Sequence, residues 1–252
     1  HRRTHTMIRT LSKCALTVAL TAGSMASLAG GLDGMNPAVA DRAEEALACA
    51  QQSNADLPDT MLIADMSLPS SQPRLWVLDI TDPDHPKVVL NDWVAHGAGS
   101  DPGKTGQAIH FSNIIDSGMT SLGLYRIAEN YIGKKGSSWR LDGLMPGFND
   151  EARERAVVLH PAAYVTPGHV GRSLGCPAVR PSTIAFLKSR KVSDNALLWI
   201  DGPDSRLDKT VSKCAARAKA RLPWSGGWPS WLPQQPVRVC SIPSAFTTTR
   251  TS

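Results

Sequence analysis

The chain has 252 residues, 42% hydrophobic and 19% charged, which supplies enough apolar material for a packed core and excludes global disorder. Its net charge of +5 suits an anionic partner such as a cell-wall polymer, a membrane surface or a nucleic acid. No zinc-finger spacing, RNA-binding aromatic signature or basic-aromatic repeat occurs, so nucleic acid ranks last and no nucleic-acid partner is expected.

The first 40 residues read as a signal peptide. From Met7, Arg9 and Lys13 give a positive start, and an apolar, small-residue stretch runs from Cys14 to about Leu32. Ala38-Val39-Ala40 offers a cleavage site before Asp41, with Ser24-Met25-Ala26 and Ser27-Leu28-Ala29 as alternatives. Residues 1–6 precede Met7 and are set aside. The stretch is too rich in Ala, Gly, Ser and Thr for a spanning helix, so export to the periplasm or cell envelope is expected, with no stable membrane insertion afterwards. Cys49, Cys176, Cys214 and Cys240 then remain. In an oxidising compartment they allow two disulfides. Cys214 with Cys240 is one pairing, which leaves Cys49 and Cys176 either bonded or free.

Residues 41–60 begin with a short helix, with Asp41 as N-cap and Glu44 three positions on. From Met61 the pattern turns to strands. Arg74–Ile80 is apolar on both faces and reads as central, and Lys87–His96 pairs with it as a hairpin. The glycine loop 97–103 lacks a nucleotide-binding pattern. Ala108–Phe111 is a short strand, Leu122–Ile132 a longer one, and Gly133–Gly136 turns the chain back into Ser138–Leu141. Gly147–Arg155 is a polar loop or single helical turn, in which Arg153 and Arg155 read as a solvated face. A strand over 156–160, a helix over 181–192 and a buried strand over 195–200 follow. Short runs rich in Val, Ile, Trp and Tyr, between frequent Gly and Pro, point to a mainly β domain over 61–203 with a few short helices. Residues 204–252 change to a basic, then Pro/Trp-rich composition and read as a poorly ordered tail. Trp224, Trp228 and Trp231 there could stack on glycan rings or pack onto the domain.

The chemistry centres on Cys176, in Gly171-Arg172-Ser173-Leu174-Gly175-Cys176-Pro177-Ala178-Val179. A cysteine between Gly175 and Pro177 sits in a chain reversal rather than in packing. Sixteen positions earlier His160 ends the run Ala156-Val157-Val158-Leu159. A thiol needs a neighbouring base to become a nucleophile, and a strand-end imidazole beside a loop thiol meets that need. Gly175 permits a tight turn in which the N–H groups of Gly175 and Cys176 converge on a developing oxyanion. Ser173 and Arg172 lie beside the turn, where one of them could orient His160 or bind a substrate carboxylate. His96 before Gly97 either lines the cleft or steadies a loop. His110 and His169 are structural or surface residues. No HExxH or similar ligand pair occurs, so neither metal nor cofactor is expected.

These residues resemble the murein L,D-transpeptidase (YkuD-like) catalytic-domain family, whose signature is a histidine followed some fifteen residues later by Ser-x-Gly-Cys. His160 and Ser173-Leu174-Gly175-Cys176 match it. Arg74-Leu75-Trp76-Val77-Leu78-Asp79, Val94–Ser100, Phe111-Ser112-Asn113, Ser121–Tyr125 and Leu141–Leu144 extend the likeness to a secreted bacterial branch over about 61–201. The resemblance implies a β-sandwich or barrel and acyl transfer on peptidoglycan stem peptides. Cys176 would attack the bond between a diamino acid and a terminal D-alanine, and a second stem's amine would resolve the thioester. Water as acceptor would make the protein an L,D-carboxypeptidase. The family's arginine two places after the cysteine is Ala178 here, and its common histidine before Gly-Cys is Leu174. Arg172 and Arg180 are therefore the candidates for the substrate carboxylate, with Ser121, Tyr125 and His96 expected to line the cleft. The same departures allow a wall-binding protein without catalysis. A monomer is expected.

Overall fold

The computed structural model describes residues 32, 34–51, 58–82, 85–192 and 196–221, with the backbone alone for 218–221. The signal segment before Leu32, Cys240 and the three tail tryptophans lie outside the described residues. In chain order the elements are α1 (Pro37–Gln51), β1 (Thr60–Asp65), β2 (Leu75–Asp79), β3 (Lys87–Asp92), β4 (Val94–Ala95), β5 (Gly123–Gly133) and β6 (Gly136–Gly143). They continue as β7 (Val158–Pro161), β8 (Val165–Thr166), β9 (His169–Val170), β10 (Ala178–Val179), α2 (Pro181–Ser189), β11 (Leu197–Asp201) and α3 (Ser205–Arg221).

Nine strands form one sheet in the order β3-β2-β1-β11-β5-β6-β7-β10-β4. β3 and β4 stand at its opposite ends, yet only Trp93 separates them in sequence. The sheet must therefore curl until its edges nearly meet, and the fold is mainly β, as expected. β1 pairs in parallel with β11, so the start and end of the domain lie side by side. β10 pairs in parallel with β7, which sets Ala178 opposite His160. The expected hairpin is β2 with β3, with a register shift between Val77 and Leu78.

The register puts Leu62, Tyr125, Ile127, Leu141 and Leu159 on one face of the sheet and Trp76 and Trp199 on the other, all fully buried. Side chains of this size contribute about 1.5–3 kcal/mol each when removed from water. α1 packs against β11 and β5, and α3 against α1. Arg42 fixes α1 to the sheet through a paired contact with Asp201, Nε and Nη2 donating over 2.8 and 2.7 Å.

Three expectations are corrected. Ala108–Phe111 is not a strand, because the N–H groups of Ile109 and His110 both turn to the Ser100 carbonyl instead of a neighbouring strand. The tail does not begin at 204: residues 205–221 are helical, and Leu207, Val211 and Ala215 bury one stripe at helical spacing. The boundary after residue 40 falls inside α1, where Val39 is buried in the core with Met35 preceding it. The disulfide, whose connectivity the sequence leaves open, is Cys49–Cys214, joining α1 to α3 with Cα atoms 5.8 Å apart, and Cys176 is a free thiol.

Candidate active site

β7 and β10 run in parallel, and the loop that leads into β10 carries the cysteine. Three interlocked loops hold it. Ser173 N–H donates to the His96 carbonyl (2.9 Å) and Ala98 N–H to the Ser173 carbonyl (2.8 Å). Gly97 N–H donates to Thr120 Oγ1 (2.9 Å) and Gly99 N–H to the Gly118 carbonyl (2.9 Å). The backbones approach so closely that a β-carbon on Gly97 would lie 2.9 Å from the Gly175 Cα. Gly175 itself has φ +118°, which an L side chain rarely adopts, and its β-carbon would meet the Met119 carbonyl oxygen at 2.8 Å.

Within the loop, Ser173 acts as a staple. Its hydroxyl accepts from Gly175 N–H (3.1 Å) and donates to the Cys176 carbonyl (2.6 Å). It orients the turn and makes no hydrogen bond to His160. Because Gly175 N–H is taken, it does not join Cys176 N–H as an open oxyanion donor. The Cys176 N–H has no hydrogen-bond partner among the described residues.

The sulfur contacts the segment that enters β7. Val158 N–H points to Cys176 Sγ at 3.5 Å, and the Ala156 carbonyl lies 3.9 Å away. Burial pushes the thiol up, against which Val158 N–H and the positive charge of Arg155 both act. His160 Nδ1 donates to the Pro161 carbonyl (2.9 Å). A carbonyl can only accept, so this bond places the ring proton on Nδ1 and leaves the lone pair on Nε2. Burial, with a smaller contribution from Lys135, holds the imidazole below its ordinary value despite that hydrogen bond. At neutral pH the pair is therefore S–H and uncharged ring, and the two groups make no direct hydrogen bond.

The expected cleft residues divide sharply. His96 is 0% exposed, accepts from Arg74 Nη2 at Nδ1 (2.7 Å) and sits 3.5 Å from Asp101 through Nε2. Burial, then the charge of Arg74, lowers it to about 4, so the ring is neutral and the Asp101 contact is no ion pair. It anchors the loops from within instead of touching substrate. Tyr125 and Ser121 are likewise enclosed: Tyr125 OH donates to the Ser121 carbonyl (2.7 Å) and accepts from Ser121 Oγ (2.7 Å). Arg180 donates Nε to Asp92 (2.7 Å) and lies over Trp93. Arg172 donates only Nη1, to the Asp101 carbonyl (2.6 Å), and keeps its other donors.

Sequence reasoning missed two residues. Tyr164, on the connection between β7 and β8, packs its ring against Gly171 and feels the charge of Cys176. Arg155, in the turn before β7, acts on the same thiol through its charge. Its position just ahead of the apolar run to His160 was the available signal. Among the described residues no group of three His, Cys, Asp or Glu side chains converges as a metal site.

The chain belongs to the L,D-transpeptidase catalytic domain family, whose model matches residues 32–200. No curated protein sequence matches it. Similar solved structures include an L,D-transpeptidase from Mycobacterium smegmatis, 13% identical with a TM-score of 0.36, covering 57% of this chain and 59% of that one. An L,D-transpeptidase from Stackebrandtia nassauensis is 16% identical, with a TM-score of 0.36 and coverage of 66% of each chain. The helical cell shape determining protein Pgp2 from Campylobacter jejuni is 9% identical, with a TM-score of 0.41, covering 69% of this chain and 62% of that one. The match spans less than two thirds of the length of each of these structures.

Proposed function

We propose that the protein is an exported peptidoglycan L,D-transpeptidase with Cys176 as nucleophile and His160 as its base. The observation that carries this reading is a free thiol on a braced loop alongside a strand end whose imidazole keeps Nε2 open. Because burial holds the thiol up and the imidazole down, the proton moves during attack rather than beforehand. Cys176 Sγ bonds to the carbonyl carbon between the diamino acid and the terminal D-alanine while its proton passes to His160 Nε2. The oxyanion that forms finds the unpaired Cys176 N–H. The C–N bond then breaks, the D-alanine amine leaves with the His160 proton, and a thioester remains. An amine of a second stem attacks that carbonyl and gives its proton to His160. The C–S bond breaks, and the sulfur recovers the proton.

Arg172 is the guanidinium with donors to spare on the nucleophile loop, which suits it to the terminal carboxylate of the stem. The Cys49–Cys214 bond supports an oxidising address, in keeping with the basic-then-apolar start of the chain. Incubation with tetrapeptide stems and mass analysis of the Cys176 peptide tests the reading. A stem adduct lacking D-alanine and released by hydroxylamine is expected. Turnover by Cys176→Ala with no adduct on the wild type would refute it.

A further inference from the structure

Arg155 is the one described charge that acts on the thiol from outside its own loop and strand. Its guanidinium is held on four sides. Nη1 donates to the Ser112 carbonyl and to Ser121 Oγ (3.0 Å each), and Nη2 to the Met119 carbonyl (2.6 Å) and more loosely to Ser117 Oγ (3.4 Å). Nη2 also lies 3.2 Å from where a Gly175 β-carbon would stand, directly against the nucleophile turn. All four Nη hydrogens are thus used on uncharged oxygens, which leaves no fork for a substrate carboxylate. No described carboxylate pairs with it, so its charge is not cancelled locally.

We infer that Arg155 is a positioning residue for the transfer site, clamping the 112–121 segment beneath the nucleophile turn and supplying the positive field that favours the Cys176 thiolate. This inference rests on Cys176 being the nucleophile. Tyr125 from β5 and Tyr164 from the β7–β8 connection also feel the charge of Cys176, and His160 stands on β7, the strand beside the one the nucleophile loop enters. Both phenols are neutral at physiological pH, since burial raises them. The imidazole is neutral too, so the guanidinium is the charge left to stabilise a thiolate. Within the segment 155–158 three residues act on the sulfur: Arg155 by its charge, Ala156 by its carbonyl and Val158 by its N–H.

The test is the pH dependence of iodoacetamide alkylation at Cys176 in the full chain, followed by mass spectrometry of that peptide. Arg155→Met removes the charge and keeps the stem. It is expected to raise the apparent thiol pKa by about one unit, which lowers alkylation at neutral pH about tenfold. Arg155→Lys is expected to restore most of the rate. Arg155→Gln, which keeps amide donors for Ser121 and Met119, replaces Arg155→Met if that variant does not fold. A neutral variant with wild-type melting and an unshifted titration overturns the inference. Because alkylation needs no turnover, this result is separate from the nucleophile reading, which fails instead if Cys176→Ala retains full transfer activity.

Discussion

Acidifying the protein from pH 7 to 4 should loosen the frame behind the nucleophile, and His96 sets the size of the effect. In the unfolded chain its imidazole takes a proton near the ordinary value of 6.5. In the fold it resists until about 4, because burial and the Arg74 guanidinium at 2.7 Å both oppose a second positive charge. Above 6.5 both states are neutral and His96 contributes no pH dependence. Between 6.5 and 4 the unfolded state binds the proton and the folded state does not, so stability falls with pH, and below 4 this contribution levels off. At about 1.4 kcal/mol per tenfold in proton affinity, the loss from this one ring is about 3 kcal/mol. That is a large part of a typical domain's stability. The assay is urea unfolding of wild type and His96→Asn at pH 7, 6, 5 and 4. The asparagine oxygen can still accept from Arg74 but does not titrate. The wild type should lose about 3 kcal/mol more than the variant across this range. Equal losses, or an NMR titration of His96 near 6.5 in the folded protein, would refute the reasoning.

Gly175→Ala combines a strained φ of +118° with a contact at 2.8 Å to the Met119 carbonyl, so it should lower stability by about 1–2 kcal/mol and abolish most transfer activity, read by melting and product analysis. Reduction of Cys49–Cys214 should lower the unfolding midpoint in urea by an amount worth about 2–4 kcal/mol, because the bond closes a separation of 165 residues; an unchanged midpoint would show that α1 and α3 hold without it. Amino-terminal sequencing of the exported protein should find a start before Leu32, at Ser27 or Gly30. Cleavage after Ala40 would strip Met35 and Val39 from the core at about 1.5–3 kcal/mol for each well-buried side chain, and finding Asp41 as the first residue would contradict that packing argument.

Strands such as Leu75–Asp79 and Leu197–Asp201 could be read directly, because a continuous apolar run in a β-rich chain has few other places to go. The cysteine–histidine pair could be read because turn residues and a strand end mark both positions. Its surroundings could not. Whether His96 or Tyr125 faces a cleft or the interior depends on the curl that brings β3 and β4 together, and no local pattern encodes that closure. The pairing of Cys49 with Cys214 depends on α1 meeting α3, two helices at opposite ends of the domain. Arg155 looked like half of a charged surface pair with Arg153. Arg153 indeed lies outside, bound to Glu129 and Asp142, while its neighbour turns inward to four oxygens. A basic stretch concealed α3 for the same reason, since its outer face dominates the composition and its buried stripe is three residues wide.

The central claim is that Cys176 performs acyl transfer on peptidoglycan stems. The measurement that tests it most directly is mass analysis of muropeptides after incubation of purified wild type, Cys176→Ala and His160→Gln with tetrapeptide stems. The account predicts 3→3 cross-linked dimers and free D-alanine from the wild type and neither from the variants. Shortened stems without dimers would make the protein a carboxypeptidase, and identical products from wild type and Cys176→Ala would contradict the account.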